Sequence, residues 1–127
     1  MLGVVLVADV SAAVVENRRI PVTLTNVVNS CAPNDGPITF TGEVHRVVRS
    51  QPDGSVNTRT NWHLSGVSAN GTQYEFNKTI EVNSAALITT TTARDRVISQ
   101  GRSDNFHLTV TTTFPPGDVT VQSDCRG

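Results

Sequence analysis

Four polar side chains within residues 42–66 are of types that can do chemistry: Glu43, His45, Asn61 and His63. A carboxylate beside an imidazole can transfer protons, and two histidines with one carboxylate can hold a transition metal. Either chemistry requires the side chains to converge in an enclosed place. The first question is therefore whether the fold brings these four residues together.

The tripeptide at 52–54, Pro-Asp-Gly, predicts a three-residue hairpin loop in which a type I turn is followed by a left-handed glycine. In that register Glu43 faces His63 across the hairpin. His45 faces Asn61 on the same side. The other side carries the apolar residues Ile38, Phe40, Val44, Val48, Val56, Trp62 and Leu64. We therefore predict that the four polar residues form a solvent-facing side of a sheet and hold no catalytic metal.

Two charged residues interrupt apolar strand patterns. Lys78 falls in the phase of Tyr74 and Phe76, and Asp95 falls in the phase of apolar residues 93 and 97. An inward Lys and Asp would meet each other, face a polar cavity, or mark a β-bulge that shifts the phase. The bulge is the favoured interpretation. The cavity interpretation predicts a ligand site formed by Trp62, Tyr74, Lys78 and Asp95.

The sequence contains no GxSxG, no HExxH, no glycine-rich phosphate loop after a strand, and no Cys/His spacing of a zinc site. We predict no catalytic residue, no metal and no cofactor. Ten basic residues against eleven acidic residues give a net charge of -1, and the basic residues are scattered along the chain. This balance argues against a nucleic-acid partner.

The chain is rich in Val and Thr and is divided by clusters of Pro, Gly, Asn and Asp. Candidate strands lie near 20–29, 37–49, 56–66, 72–82, 86–98, 104–114 and 118–125. The pattern predicts a single all-β domain over 20–127, an antiparallel meander of seven or eight strands that forms a small barrel or a two-sheet sandwich.

Residues 1–19 are either an apolar strand or the remnant of a signal peptide. Every even-numbered residue from Val4 to Val14 is apolar. The same phase continues in Ile20, Val22 and Leu24. We favour a strand that pairs in the sheet or with a neighbouring copy. No apolar stretch reaches the ~18 to 20 residues of a membrane-spanning helix, so we predict no integral membrane segment.

Two cysteines occur, Cys31 and Cys125. One widely separated pair suits a single disulfide, which persists only in an oxidising compartment. The alternative is two unrelated buried thiols.

A resemblance extends over residues 20 to 126. Cys31, the segment "ITFTGEVHRVV", the block "PDGSVNTRTNWHLSGVSANGTQYEF", and "NFHLTV" leading to "VTVQSDCRG" resemble a group of small exported bacterial β-proteins of unassigned function. The two cysteines stand near the two ends of this region, and we predict that they form an intramolecular disulfide. The resemblance implies an exported protein, in the periplasm, at the cell surface or outside the cell.

Three functions remain. The first is a non-catalytic exported barrel that binds a small or apolar ligand in its interior. The second is a structural subunit that forms a homo-oligomer through its N-terminal strand. A weaker alternative is a small β-barrel isomerase or cyclase.

Overall fold

A computed structural model describes residues 13–101 and 104–126. Within these residues the chain forms seven strands and one short 3-10 helix at Pro33–Asp35. The strands are β1 (Ala13–Val27), β2 (Ile38–Ser50), β3 (Val56–Ser68), β4 (Gln73–Ser84), β5 (Thr89–Ser99), β6 (Asn105–Phe114) and β7 (Asp118–Arg126). Each strand pairs antiparallel with the next in one sheet of order β1 to β7. The predicted all-β antiparallel meander is confirmed.

The hairpin between β2 and β3 has the predicted register. Gln51 N donates to Ser55 O over 2.8 Å, and Gly54 is left-handed with φ of 88°. Asp53 Oδ1 accepts from the hydroxyl of Ser55 at 2.6 Å and from its backbone N–H at 2.9 Å. These two hydrogen bonds, the hydroxyl bond first, lower the pKa of Asp53 below its ordinary value of 3.8. Local turn chemistry therefore sets which residues of β2 and β3 face each other.

The first strand begins earlier than predicted. β1 runs without a break through the polar residues 16–19 and so crosses the predicted boundary between residues 19 and 20. Its register shifts between Val14 and Glu16 and again between Leu24 and Val27. The even-numbered apolar phase holds for Ile20, Val22 and Leu24, but the first shift places Val14 opposite Arg49, on the other side of the sheet. Val14 and Ile20 therefore lie on opposite sides of the sheet, because a bulge between them reverses the alternation. Residues 1–12, and with them the choice between a strand and a signal remnant, lie outside the described residues.

The sheet has two different ends. We call the end with segment 28–37 and the turn at 69–72, where β5 ends and β6 begins, the closed end. The opposite end, with Ala13 and the turns at 51–55, 85–88 and 115–117, is the open end. Among the described residues β1 and β7 do not pair with each other, so hydrogen bonds do not close the sheet into a complete barrel.

The hydrophobic core lies towards the closed end. It consists of the buried residues Ile38, Phe40, Leu64, Tyr74, Phe76 and Val97, with Val22, Leu24, Val27, Trp62 and Phe106 packed against it. These residues come from six strands, so the sheet curls around its inner face. The Phe40 and Phe76 rings stack at a tilt with centroids 5.5 Å apart. A Cβ added to Gly66 would lie 2.1 Å from Thr39 O, so only glycine permits the close approach of β2 and β3 here.

Buried polar groups hold segment 28–37 onto the closed end. The hydroxyl of Tyr74 donates to Asp35 Oδ2 and accepts from Asn29 Nδ2, which lies 3.1 Å away. Asn29 Nδ2 also donates to Asp104 O at 2.7 Å, and Asn70 Nδ2 donates to Asp35 Oδ1 at 2.9 Å. This network therefore joins segment 28–37, Asn70, Tyr74 and Asp104 around the Tyr74 phenol.

Cys31 and Cys125 form the predicted disulfide, with Cα atoms 5.6 Å apart and a sequence separation of 94 residues. The bond joins segment 28–37, which follows β1, to β7. It therefore holds the two edge strands together at the closed end.

We expect the variant Cys31→Ser/Cys125→Ser to unfold more readily. In the chain-entropy model a loop of this length contributes about 4 to 5 kcal/mol. Chemical denaturation of both proteins should show the difference as a lower midpoint. The wild-type protein should also have the mass of the oxidised form when isolated without reductant, and two free thiols would contradict the structure.

Candidate functional site

The four polar residues of the β2–β3 hairpin lie on the outer face, with Glu43 opposite His63 and His45 opposite Asn61 as predicted. Two of them interact with β1. The Nε2 atom of His45 is 2.7 Å from Asn17 Oδ1, and the carboxylate of Glu43 is 3.6 Å from the guanidinium of Arg19. These side chains are therefore drawn away from their cross-strand partners.

The other two residues interact with β4. The hydroxyl of Thr79 donates to Asn61 Oδ1 at 3.1 Å, and His63 Nδ1 lies 2.9 Å from Asn77 Oδ1. The His63 Nε2 atom lies 4.0 Å from Glu75 Oε2. The four residues line one depression of about 460 Å³, but they bond outward to two different strands. In the part of the chain described, no three His, Cys, Asp or Glu side chains are grouped closely enough to hold a metal ion.

Lys78 and Asp95 lie directly opposite each other on β4 and β5, in a ladder without a register shift. The favoured β-bulge is therefore not the explanation of their phase. Instead the two charges meet on the inner face, with Lys78 Nζ 3.6 Å from Asp95 Oδ2 and both side chains less than a third exposed. Each group has a partner of opposite charge on the inner face, so no bulge is needed to account for their phase.

Trp62 completes this inner cluster. It lies opposite Lys78 on β3, and the ammonium group is 5.8 Å from the centroid of its ring, within the range of a cation–π interaction. The Nε1 atom of Trp62 is buried and has no hydrogen-bond partner in the described residues. The tryptophan therefore presents an unused donor beside an ion pair.

Tyr74 is separated from this cluster. It is 1% exposed, and its hydroxyl is engaged with Asn29 and Asp35 at the closed end. The structure thus brings together Trp62, Lys78 and Asp95 of the predicted ligand set and gives Tyr74 a structural position. Five depressions of about 200 to 460 Å³ lie on the outer face and at the turns, and neither Trp62 nor Lys78 lines these five.

Sequence reasoning missed a group of arginines on the outer face. Arg59, Arg94, Arg96 and Arg126 are scattered in sequence, but they line one depression together with His107. The alternation of "ARDRV" in β5 places Arg94 and Arg96 on one face, and this signal was available. Arg59 of β3 and Arg126 of β7 could be placed in the same depression only from the register of the five strands β3 to β7.

In the part of the chain that the structure describes, no helix is long and apolar enough to cross a membrane. Comparison of the chain with models of protein families, with curated proteins and with solved structures finds no match.

We expect Tyr74→Phe to destabilise the protein by about 1 to 3 kcal/mol, because it removes the donor to buried Asp35 and an acceptor of Asn29. Thermal or chemical denaturation measures this loss. An unchanged unfolding free energy would show that the phenol does not hold the closed end.

We expect the Lys78–Asp95 pair to be more strongly coupled than the exposed pair Arg19–Glu43. A double-mutant cycle with alanine at both positions should give a coupling of about 1 kcal/mol or more for the inner pair, since its partners are partly desolvated. The same cycle on the exposed pair should give about 0.2 to 0.5 kcal/mol. Equal couplings would mean that water screens the inner pair as fully as the outer one.

Proposed function

We propose that the protein is a structural subunit that self-associates through its open end. The observation that carries this proposal is a concentration of exposed apolar side chains at that end. They are Val14, Val15, Val56, Leu87, Ile88, Phe114 and Val119, with exposures from 38% for Val56 to 83% for Leu87. Single exposed apolar residues are ordinary, but seven of them at one end of the sheet favour a surface that is covered in use.

The distribution of burial on the inner face also supports self-association through the open end. Burial is complete at the closed end and partial from Trp62 onwards, and the apolar side chains are exposed where the strands end. A second copy placed against the open end would cover the exposed apolar side chains there, so that burial would extend from the closed end to the open end. Such a contact removes apolar surface from water, which stabilises association by about 25 cal/mol per Å².

The edge strands indicate where pairing between copies is easiest. β1 carries Pro21 and the charged residues Glu16, Arg18 and Arg19 along its length. Proline and charge protect an edge strand from adding a further strand. The start of β1, with Val14 and Val15, has neither. Pairing of edges is therefore favoured at the open end.

The sequence before β1 supports a second copy as the occupant. Residues 1–12 join β1 at Ala13, which is at the open end, and this segment is itself apolar. An apolar segment attached beside an apolar rim increases the surface available for a contact between copies. In this proposal the segment takes part in the assembly.

We also propose that the protein is exported. The Cys31–Cys125 disulfide is formed, and such bonds persist in oxidising compartments. We propose the periplasm, the cell surface or the extracellular space as the place of assembly.

We expect the wild-type protein to form oligomers whose population rises with concentration in analytical ultracentrifugation. Leu87→Asp/Phe114→Asp should weaken this association by about 100-fold, because two apolar side chains that would be buried are replaced by charges. Removal of residues 1–12 should weaken it further if the segment adds to the contact.

The matched control is Val28→Asp/Val67→Asp, which makes the same charge change at the closed end, where these residues are 49% and 50% exposed. The control should associate as the wild type does. A wild-type protein that stays monomeric at the highest soluble concentration contradicts the proposal, as does equal weakening by both double variants.

A second candidate is the binding of a small apolar ligand on the inner face. The observation that favours it is the unpartnered Nε1 of Trp62 beside the Lys78–Asp95 pair. In this case the open end is an entrance, and a ligand acceptor would satisfy the indole N–H. A monomeric protein whose tryptophan fluorescence responds saturably to a fatty acid would favour this candidate over self-association.

A further inference from the structure

The outer face carries a depression of about 430 Å³ that is lined by residues of β3, β4, β5, β6 and β7. Two rows of cross-strand neighbours form its floor. Thr79, Arg94 and Thr109 face one another in the first row, and Asn77, Arg96 and His107 do so in the second. Arg59 and Arg126 also line it.

The positive charges in this depression lack counterions. Within the described residues, neither Arg59 nor Arg94 nor Arg96 makes an ion pair or a side-chain hydrogen bond. Arg126 is the exception, since it contacts Asp124 at 3.1 Å. Asp95 lies between the two β5 arginines in sequence, but its carboxylate contacts Lys78 on the inner face.

The nearest outer-face carboxylates are used elsewhere or lie at the margin. Glu81 is the cross-strand neighbour of Arg59, but it accepts from Asn57 Nδ2 at 3.3 Å and forms no ion pair with that arginine. Glu75 faces His63 rather than the depression. Among the described residues, neither of these carboxylates therefore offsets the positive charge of the depression.

The arrangement of the arginines in this depression favours one class of ligand. Residues two apart on a strand are about 7 Å apart on one face, so Arg94 and Arg96 place two forked guanidinium groups around one small volume. Guanidinium groups match the oxygens of phosphate and sulfate with paired hydrogen bonds. The hydroxyls of Thr79 and Thr109 and the amide of Asn77 supply neutral donors beside them.

We propose that this depression binds a single compact oxyanion group, a phosphate or a phosphate ester, between Arg94 and Arg96. The site lies on the outer face, away from the open end, so the proposal is independent of self-association.

Nuclear magnetic resonance of the full-length, isotope-labelled protein tests the proposal, with potassium phosphate and potassium chloride compared at equal ionic strength and pH. Phosphate should give saturable shifts concentrated at the backbone amides of residues 77–79, 94–96 and 107–109. Chloride should not. Shifts spread evenly over the protein, or equal effects of the two salts, would overturn the proposal.

The variant Arg94→Gln/Arg96→Gln should weaken phosphate binding at least tenfold. The control Arg18→Gln/Arg49→Gln removes the same two charges outside the depression and should bind as the wild type does. The spectra themselves show whether each variant is folded. Equal weakening by both variants would reduce the effect to net charge and overturn the proposed site.

Glucose 6-phosphate distinguishes the source of the group. Binding at least as tight as that of inorganic phosphate, with shifts at the same amides, identifies a phosphate ester as the ligand class. Weaker binding at the same amides identifies the free anion.

Discussion

The fold depends on the connection between its two edge strands at the closed end. An antiparallel meander leaves one edge of its first strand and one edge of its last strand unpaired, and a flat seven-stranded sheet would leave its apolar face exposed to water. The disulfide between Cys31 and Cys125 joins the segment after β1 to β7. The phenol of Tyr74 then anchors that segment through Asn29 and Asp35. These links keep the sheet curled, and the curl creates the core.

The same connection explains why the two ends differ. Curling at the closed end brings Phe40, Leu64 and Phe76 together in a dry core. Further along the strands nothing in the described chain joins β1 to β7. The inner face accordingly passes from aromatic core, through the Lys78–Asp95 pair, to exposed apolar residues such as Leu87 and Phe114. Exposed apolar side chains therefore collect at the end of the sheet that is farthest from the disulfide.

The outer face shows that proximity in sequence and convergence in space are different properties. The two histidines and their neighbours in the β2–β3 hairpin are close in sequence, but they bond outward to β1 and β4. Arg59 is distant in sequence from Arg94 and Arg96, which are separated from each other by Asp95. All three arginines nevertheless line one depression. The net charge of -1 conceals this local excess, because the acidic residues are placed elsewhere or are engaged.

Local patterns in the sequence determined the strand class, the turns and the register of the β2–β3 hairpin. Alternation and turn chemistry act over a few residues, so Pro52, Asp53 and Gly54 suffice to place Glu43 opposite His63. The pairing of Cys31 with Cys125 was also predictable, since two cysteines allow a single intramolecular bond.

Only the tertiary structure decided the features that depend on several strands at once. The bulge at the start of β1, the meeting of Lys78 with Asp95 and the place of Tyr74 at the closed end each depend on contacts between segments far apart in the chain. The convergence of the arginines has the same origin. A pattern of period two assigns each residue to a face, but the relative register and curl of neighbouring strands determine which residues on that face meet.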